Sequence, residues 1–257
     1  MNKILQIFKI KELRNKILIV AFLLFCFRVL AVIAIPNIDA ARLKDFFGSN
    51  QLLGFFNLFS GGGLENLSIV MLGIAPYITA TIIMQLLTMV FPTFKAMYYE
   101  EGAAGKAKFN RYSRYLTVPL AALQGYGFLN LLASQNIIQS VELLSVDTLR
   151  SIILITAGTM ILMWIGELIS EQKIGNGISL IIFAGIVSGL PRAIQGLYLD
   201  YQAGALMIDT VIVFIVVAIL VIASVVFIQE GERKIPIAYS KRVRGMKMYG
   251  GAQSYLP

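Results

Sequence analysis

Long runs of apolar residues alternate with polar segments along the whole chain, and each run is long enough to cross a bilayer as a helix. A helix of ~20 residues spans the ~30 Å hydrocarbon core. We predict transmembrane helices at residues 17–35, 68–91, 115–133, 151–169, 178–198 and 207–228. The pattern therefore predicts an all-α, polytopic transmembrane helix bundle.

The second run is too polar and too broken for a plain lipid anchor. It carries Gly73 and Pro76 in its first third, and Thr81, Gln85 and Thr88 follow at positions i, i+4 and i+7. Such a helix face must contact protein or water rather than lipid. Pro76 cannot donate a backbone hydrogen bond, so we expect it to bend this helix.

The segments between the runs differ in character. Residues 1–16 predict a cytoplasmic amphipathic helix on an anionic leaflet, and residues 92–114 predict a polar cytoplasmic loop. Residues 53–67 combine a short aromatic stretch with glycines, which suits a re-entrant helix enclosed by protein. A simple outside loop with aromatic interface contacts remains open for this stretch. Residues 229–257 predict the start of a basic cytoplasmic loop.

The composition supports a membrane protein and excludes several kinds of site. Apolar residues make up 58% of the chain and charged residues 14%, with no His and one Cys. The lack of His and the single Cys exclude almost every metal-ligand cluster and every Ser-His or Cys-His nucleophile. We therefore expect no enzyme activity, no catalytic residue, no metal and no cofactor. Cys26 lies inside an apolar run, where a thiol is usually an inert hydrophobe.

The positive charge of the chain predicts its orientation. The net charge is +8. With the N-terminus in the cytoplasm, seventeen Lys and Arg lie in cytoplasmic segments and four lie outside. The positive-inside rule favours this orientation. It accounts for the net charge without a nucleic-acid partner.

The short segment between the fourth and fifth runs predicts a tight turn. Gly175, Asn176 and Gly177 tolerate positive φ and would reverse the chain. Glu167 and Glu171, one helical turn apart, are two carboxylates on one face. Because they lie at a cytoplasmic helix end, we interpret them as solvated surface charges rather than as an acid-base pair.

Three stretches resemble the SecY family, and they occur in the family's order: LGIAPYITATIIMQLL, GTMILMWIGELISEQKIGNGISLIIFAGIVSGLP, and ERKIPIAYSKR with KMYGGAQSYLP. Two more, FRVLAVIAIPNIDA and FFNLFSGGGLENLSI, resemble the end of the family's first helix and its plug. The resemblance covers the N-terminal half of such a protein, six of about ten spans. Lys173 departs from the family motif, which usually has Gly there, and Arg192 is an unexpected charge.

The resemblance implies a SecY-like fold with a re-entrant plug helix and a passive protein-conducting channel. Such a channel translocates unfolded secretory proteins and inserts membrane proteins. The implied partners are small SecE- and SecG-like membrane subunits, a SecA motor or a ribosome, a nascent polypeptide with a signal sequence, and the lipid bilayer. The implied location is the cytoplasmic membrane of a prokaryote.

Two alternatives remain open. A secondary transporter would use the Gly73 and Pro76 break to open a midplane site, but no predicted span centre holds an Asp, Glu or His for ion coupling. Alternatively, the chain is a folding unit without activity of its own. The missing spans would carry the rest of the channel, so we predict that the chain alone does not translocate.

The resemblance also assigns residues. It places the pore ring on Ile74, Ile78, Ile178 and Ile182, which the residues alone would suggest are ordinary core isoleucines. It places the lateral gate at Thr81 and Gln85. It places the plug on Phe56, Asn57, Leu58, Phe59, Ser60, Gly61, Gly62, Gly63, Leu64 and Leu67. It places a partner-docking loop on Arg233, Lys234, Lys241, Arg242, Arg244 and Lys247, for which plain positive-inside charge is an equal alternative.

Overall fold

The computed structural model describes residues 10–35, 62–64, 66–135, 137–138, 145–204 and 208–231, and four short strands beyond them. The chain divides into two compact units, residues 1–193 and 194–257. The described residues form seven helices: α1 (Lys11–Leu30), α2 (Ala75–Val90), α3 (Pro92–Tyr99), α4 (Gly102–Ser134), α5 (Val146–Glu171), α6 (Gly177–Gln202) and α7 (Ile208–Gln229).

Four of the described helices, α4 to α7, are long and apolar enough to cross a membrane. Helices α2 and α3 are together long and apolar enough to cross a membrane, but the chain bends by 112° between them. Helix α1 does not meet the same criteria of length and polarity. Every 18-residue stretch of it contains the three charged side chains of Arg14, Lys16 and Arg28. The prediction of an all-α transmembrane bundle is confirmed, while the six predicted spans correspond to four clear candidates, the bent pair and α1.

Helix α2 begins at Ala75, later than the predicted start at residue 68. Residues 66–74 form successive turns, and Gly73 has a φ of +57°, in the left-handed region that glycine tolerates. Ser68 pairs with Ala34 in an isolated antiparallel bridge. The backbone before α2 is therefore held by the end of the first run, through bonds such as Ile69 N to Ile33 O at 3.0 Å, and by local turn bonds such as Met71 N to Ser68 O at 2.9 Å.

Helix α4 is the helix against which α2, α3 and α5 pack. It begins inside residues 92–114, which the sequence predicted to be a loop. Its buried side chains recur every fourth residue and are small for much of its length: Gly105, Phe109, Ser113, Thr117, Ala121, Gly125 and Leu129. Small residues let membrane helices approach closely. A Cβ added at Gly125 would lie 3.3 Å from Ile155 Cγ2 on α5.

Two apolar clusters fill the first unit. One contains Phe27, Val70, Ile74, Leu162, Ile169 and Ile181 among its buried residues. The other contains Ile35, Leu67, Met71, Leu129, Leu132 and Ile155. The turns that precede α2 contribute to both clusters, so this irregular segment is enclosed by helices. Enclosure is the condition under which non-helical backbone is tolerated at membrane depth.

The second unit contains the end of α6, helix α7 and the four strands. None of the apolar stretch of α7 is buried within the described structure, and a helix that is apolar all round is typical of a membrane span. Strand β1 (Ile235–Ile237) pairs antiparallel with β4 (Ser254–Leu256), and β2 (Arg242–Arg244) pairs with β3 (Lys247–Tyr249). The sequence had not predicted these strands.

Candidate functional site

The start of α2 holds the first two predicted ring isoleucines. Ile74 occupies the N-cap position, and Pro76 follows in the first turn. A first-turn proline fits a helix because its missing N–H would have no intrahelical partner there. The expectation that Pro76 bends the helix is therefore wrong, and Gly73, the residue with left-handed backbone, lies just before the helix begins.

The two α2 isoleucines lie in different surroundings. Ile74 is 4% exposed and belongs to the first apolar cluster, whereas Ile78 is 36% exposed. Ile78 N donates a hydrogen bond to Ile74 O at 3.1 Å, so the two residues lie one helical turn apart. Ile74 therefore anchors α2 in the core, and Ile78 projects from it.

The α6 isoleucines partly join the same cluster. Ile178 packs against the cluster that contains Ile74, and Ile182 is half-buried. The side chain that α6 buries most fully in this cluster is Ile181, at 3% exposed. Sequence reasoning passed over Ile181, although its spacing of i+3 from Ile178 could have identified it. The structure thus brings Ile74 and Ile178 into one cluster, to which Ile78 and Ile182 do not belong.

The turn between α5 and α6 differs in detail from the predicted one. The residue with positive φ is Lys173, at +58°, and neither Gly175 nor Gly177 has a positive φ. Asn176 caps α6, because its Oδ1 accepts hydrogen bonds from the backbone N–H groups of Ile178 at 3.0 Å and Ser179 at 3.4 Å. Gly177 is required for close approach to α5 and not for its φ.

The predicted gate residues lie along α2. Thr81 is half-buried, and its Oγ1 donates to Ile78 O at 2.8 Å. Gln85 is exposed, whereas Thr88 is buried and donates to Gln85 O at 2.7 Å. Both threonine hydroxyls are thus satisfied within their own helix. Gln85 is the polar side chain of this row that α2 presents outward.

The predicted plug is only partly within the described residues. Residues 56–61 lie outside them. Gly62, Gly63, Leu64 and Leu67 lie in turns, with Leu64 and Leu67 buried in the second apolar cluster. Leu67 O accepts a hydrogen bond from Ile35 N at 2.9 Å. This end of the segment is therefore fixed to the end of the first run.

Half of the six predicted docking residues lie in the strands. Arg242 and Arg244 belong to β2, opposite Tyr249 and Lys247 of β3, respectively. Arg233, Lys234 and Lys241 lie outside the described residues. The hairpin therefore gathers three of the six basic residues on one pair of strands.

An ion pair that the sequence analysis missed links α4 to α5. Arg114 Nε lies 2.7 Å from Glu167 Oε1, and the Glu167 side chain is 24% exposed. Tyr77 of α2 lies within electrostatic range of both groups. The interpretation of Glu167 as a solvated surface charge is therefore wrong. Within the described ranges, no group of three or more His, Cys, Asp or Glu residues could hold a metal ion.

Comparison with known proteins identifies the family. The SecY family model matches residues 68–257. The Protein translocase subunit SecY of Corynebacterium glutamicum is 40% identical, over 100% of this chain and 60% of its own length. The subunit of the same name from Vibrio cholerae is also 40% identical, over 96% of this chain and 56% of its own length. The chain thus spans less than two thirds of the length of these relatives.

Solved structures agree on the fold. One described as "The structure of a protein conducting channel" superposes with a TM-score of 0.60 at 20% identity, over 93% of this chain and 51% of its own. Another, "Sec61 in the Canine ribosome-channel complex from the endoplasmic reticulum", gives 0.59 at 21% identity, over 86% of this chain and 48% of its own. The secondary-transporter alternative finds no support among these relatives. With most of its length matched by the family model, this multi-pass membrane chain belongs to the SecY family.

Proposed function

We propose that this chain forms one wall of a protein-conducting channel that passes unfolded secretory proteins across the membrane and releases membrane segments into it. The observation that carries the proposal is the apolar cluster that Ile74 and Ile178 share, with Ile78 and Ile182 outside that cluster one turn further along α2 and α6. Family membership supports the same function.

The chemistry of this arrangement suits a seal. Each helix presents branched apolar side chains one turn apart, and these offer water no hydrogen-bond partner. A constriction of such groups excludes ions by dewetting. An extended polypeptide, whose own side chains contact the ring, displaces it without breaking hydrogen bonds. The remaining wall belongs to the portion of the relatives that this chain does not cover.

The gate and plug assignments follow from the same proposal. Thr81 and Gln85 lie on α2 beyond the ring, and Gln85 is exposed. A polar face there favours release of an apolar segment into lipid, because lipid solvates that segment better than the gate does. Residues 56–67 form the plug, with the Leu67 end held by Ile35.

Partners and location complete the proposal. The basic residues of β2 and β3 form part of the cytoplasmic surface that receives a ribosome or a SecA motor. The similar Sec61 structure is itself described in a ribosome-channel complex, which supports a ribosome. SecE- and SecG-like subunits complete the assembly in a prokaryotic cytoplasmic membrane. The distribution of Lys and Arg supports a cytoplasmic N-terminus.

Site-specific crosslinking tests the ring. In a Cys26→Ser background, single cysteines at Ile74, Ile78, Ile178 and Ile182 are placed in the assembled channel that contains this chain. Each should crosslink to a stalled translocating polypeptide. Ile153→Cys is the matched control, because Ile153 is 65% exposed on α5 and belongs to neither apolar cluster. Equal labelling at all five positions would show that the ring is misplaced.

A further inference from the structure

The backbones of α5 and α6 meet directly at the turn that joins them. A Cβ added at Gly177 would overlap Gly166 O and would lie 2.9 Å from Ile169 Cβ. Because residue 177 has no side chain, α6 starts against the backbone of α5. This backbone contact therefore fixes the position of α6 next to Ile178, the first of its two proposed ring isoleucines.

One hydroxyl connects the two backbones at this point. Ser170 Oγ donates a hydrogen bond to Gly166 O at 2.9 Å and accepts one from Gly177 N at 2.9 Å. The Gly177 N–H belongs to the first turn of α6, where helical N–H groups have no partner within their helix. Ser170 thus satisfies that group and ties the start of α6 to the last turns of α5.

Ile178 is positioned by the same contact. A Cβ at Gly166 would lie 3.3 Å from Ile178 Cγ1, so the isoleucine packs on the bare face of that glycine. Its own N–H is held by Asn176 Oδ1 at 3.0 Å. Ile182 follows one turn later on the same helix. Any slide or rotation of α6 against α5 would move both isoleucines together.

We propose that Ser170 is a positioning residue for the apolar seal, and this inference rests on the proposed channel function. The bond from Gly177 N holds the start of α6 at one depth and rotation on α5, while the bond to Gly166 O orients the hydroxyl that accepts it. Without them, the helix pair keeps its apolar contacts but loses the directional link between the backbones. Small displacements of Ile178 and Ile182 would then admit water to the constriction.

Conductance of the resting channel tests this inference. Ser170→Ala, in the complete assembled channel, should raise the ion leak about fivefold, as expected for loss of one ordinary hydrogen bond from the closed state. Ser170→Thr keeps the hydroxyl and should restore the low leak. Ser170→Cys keeps the volume with weaker hydrogen bonds and should give an intermediate leak.

Ser151→Ala is the matched control. Ser151 lies on the same helix, and its hydroxyl donates to Asp147 O at 2.9 Å, a hydrogen bond within α5. Its removal should leave the leak unchanged, and the helical circular dichroism of both alanine variants should agree, which shows that both variants are folded. A leak in Ser170→Ala equal to that in Ser151→Ala would overturn the inference, as would Ser170→Thr or Ser170→Cys leaking like Ser170→Ala.

The crosslinking experiment separates the two proposals. If cysteines at the ring positions label no better than Ile153→Cys, the channel assignment itself fails. If they label as expected while Ser170→Ala does not change the leak, the channel assignment stands and only the role of Ser170 is rejected.

Discussion

Arg114 Nε of α4 lies 2.7 Å from Glu167 Oε1 of α5, which joins two neighbouring helices near one end of the bundle. A double-mutant cycle with Arg114→Gln and Glu167→Gln should give a coupling free energy of about 0.5–1 kcal/mol in mixed micelles. The Lys108–Glu101 pair, at 3.2 Å with both side chains more exposed, is the control and should show less coupling. Equal coupling in the two pairs would contradict a structural role for Glu167.

Lys173 adopts a φ of +58°, a conformation in which a side chain costs about 1–2 kcal/mol. We expect Lys173→Gly to raise the free energy of unfolding by about 1 kcal/mol, because glycine removes the steric clash. The same change at Lys95, inside α3, should lower it by about 1 kcal/mol. Chemical unfolding of both variants checks this, and a loss of stability in Lys173→Gly would refute it.

Gly158 of α5 lies against the carbonyl oxygen of Ile69, and an added Cβ would overlap that oxygen. Gly158→Ala should therefore lower the free energy of unfolding by about 1–3 kcal/mol, since backbone cannot move aside as a flexible side chain can. Gly127→Ala on α4 meets nothing within 4 Å and should be neutral or stabilising by up to about 1 kcal/mol. Similar losses in both variants would count against the close approach.

The plug assignment predicts a change in conductance. Deletion of residues 57–61 in the assembled channel should raise the resting ion leak while export continues, because the ring loses its outer cover. This deletion keeps Leu67 and its hydrogen bond with Ile35. A deletion of equal length at residues 140–144 is the control. An unchanged leak would return residues 57–61 to the status of a simple outside loop.

Local patterns predicted most of the helical structure. Residues 151–169 and 178–198 lie within the observed helices α5 and α6, because long apolar runs must satisfy their backbone internally. The ends were less predictable. The start of α2 depends on the left-handed Gly73 and on the bridge between Ala34 and Ser68.

The candidate site was predictable only in part. The motif resemblance predicted a pore ring at Ile74 and Ile78 on α2, but burial separates Ile74 from the more exposed Ile78, and the prediction omitted the buried Ile181. The hydroxyl of Ser170 carried no signal in the sequence. Its role requires Gly166 and Gly177 to lie against each other.

The sequence by itself determined that this chain is a helical membrane protein of the SecY family. Span length, charge asymmetry and motif order depend only on the order of residues along the chain. The tertiary structure decided which of those residues meet. In the structure, Pro76 lies in the first turn of α2 and Glu167 pairs with Arg114. Lys173 has the left-handed backbone conformation in the turn between α5 and α6. Each of these depends on how closely separate segments approach, and no local pattern of polarity encodes that distance.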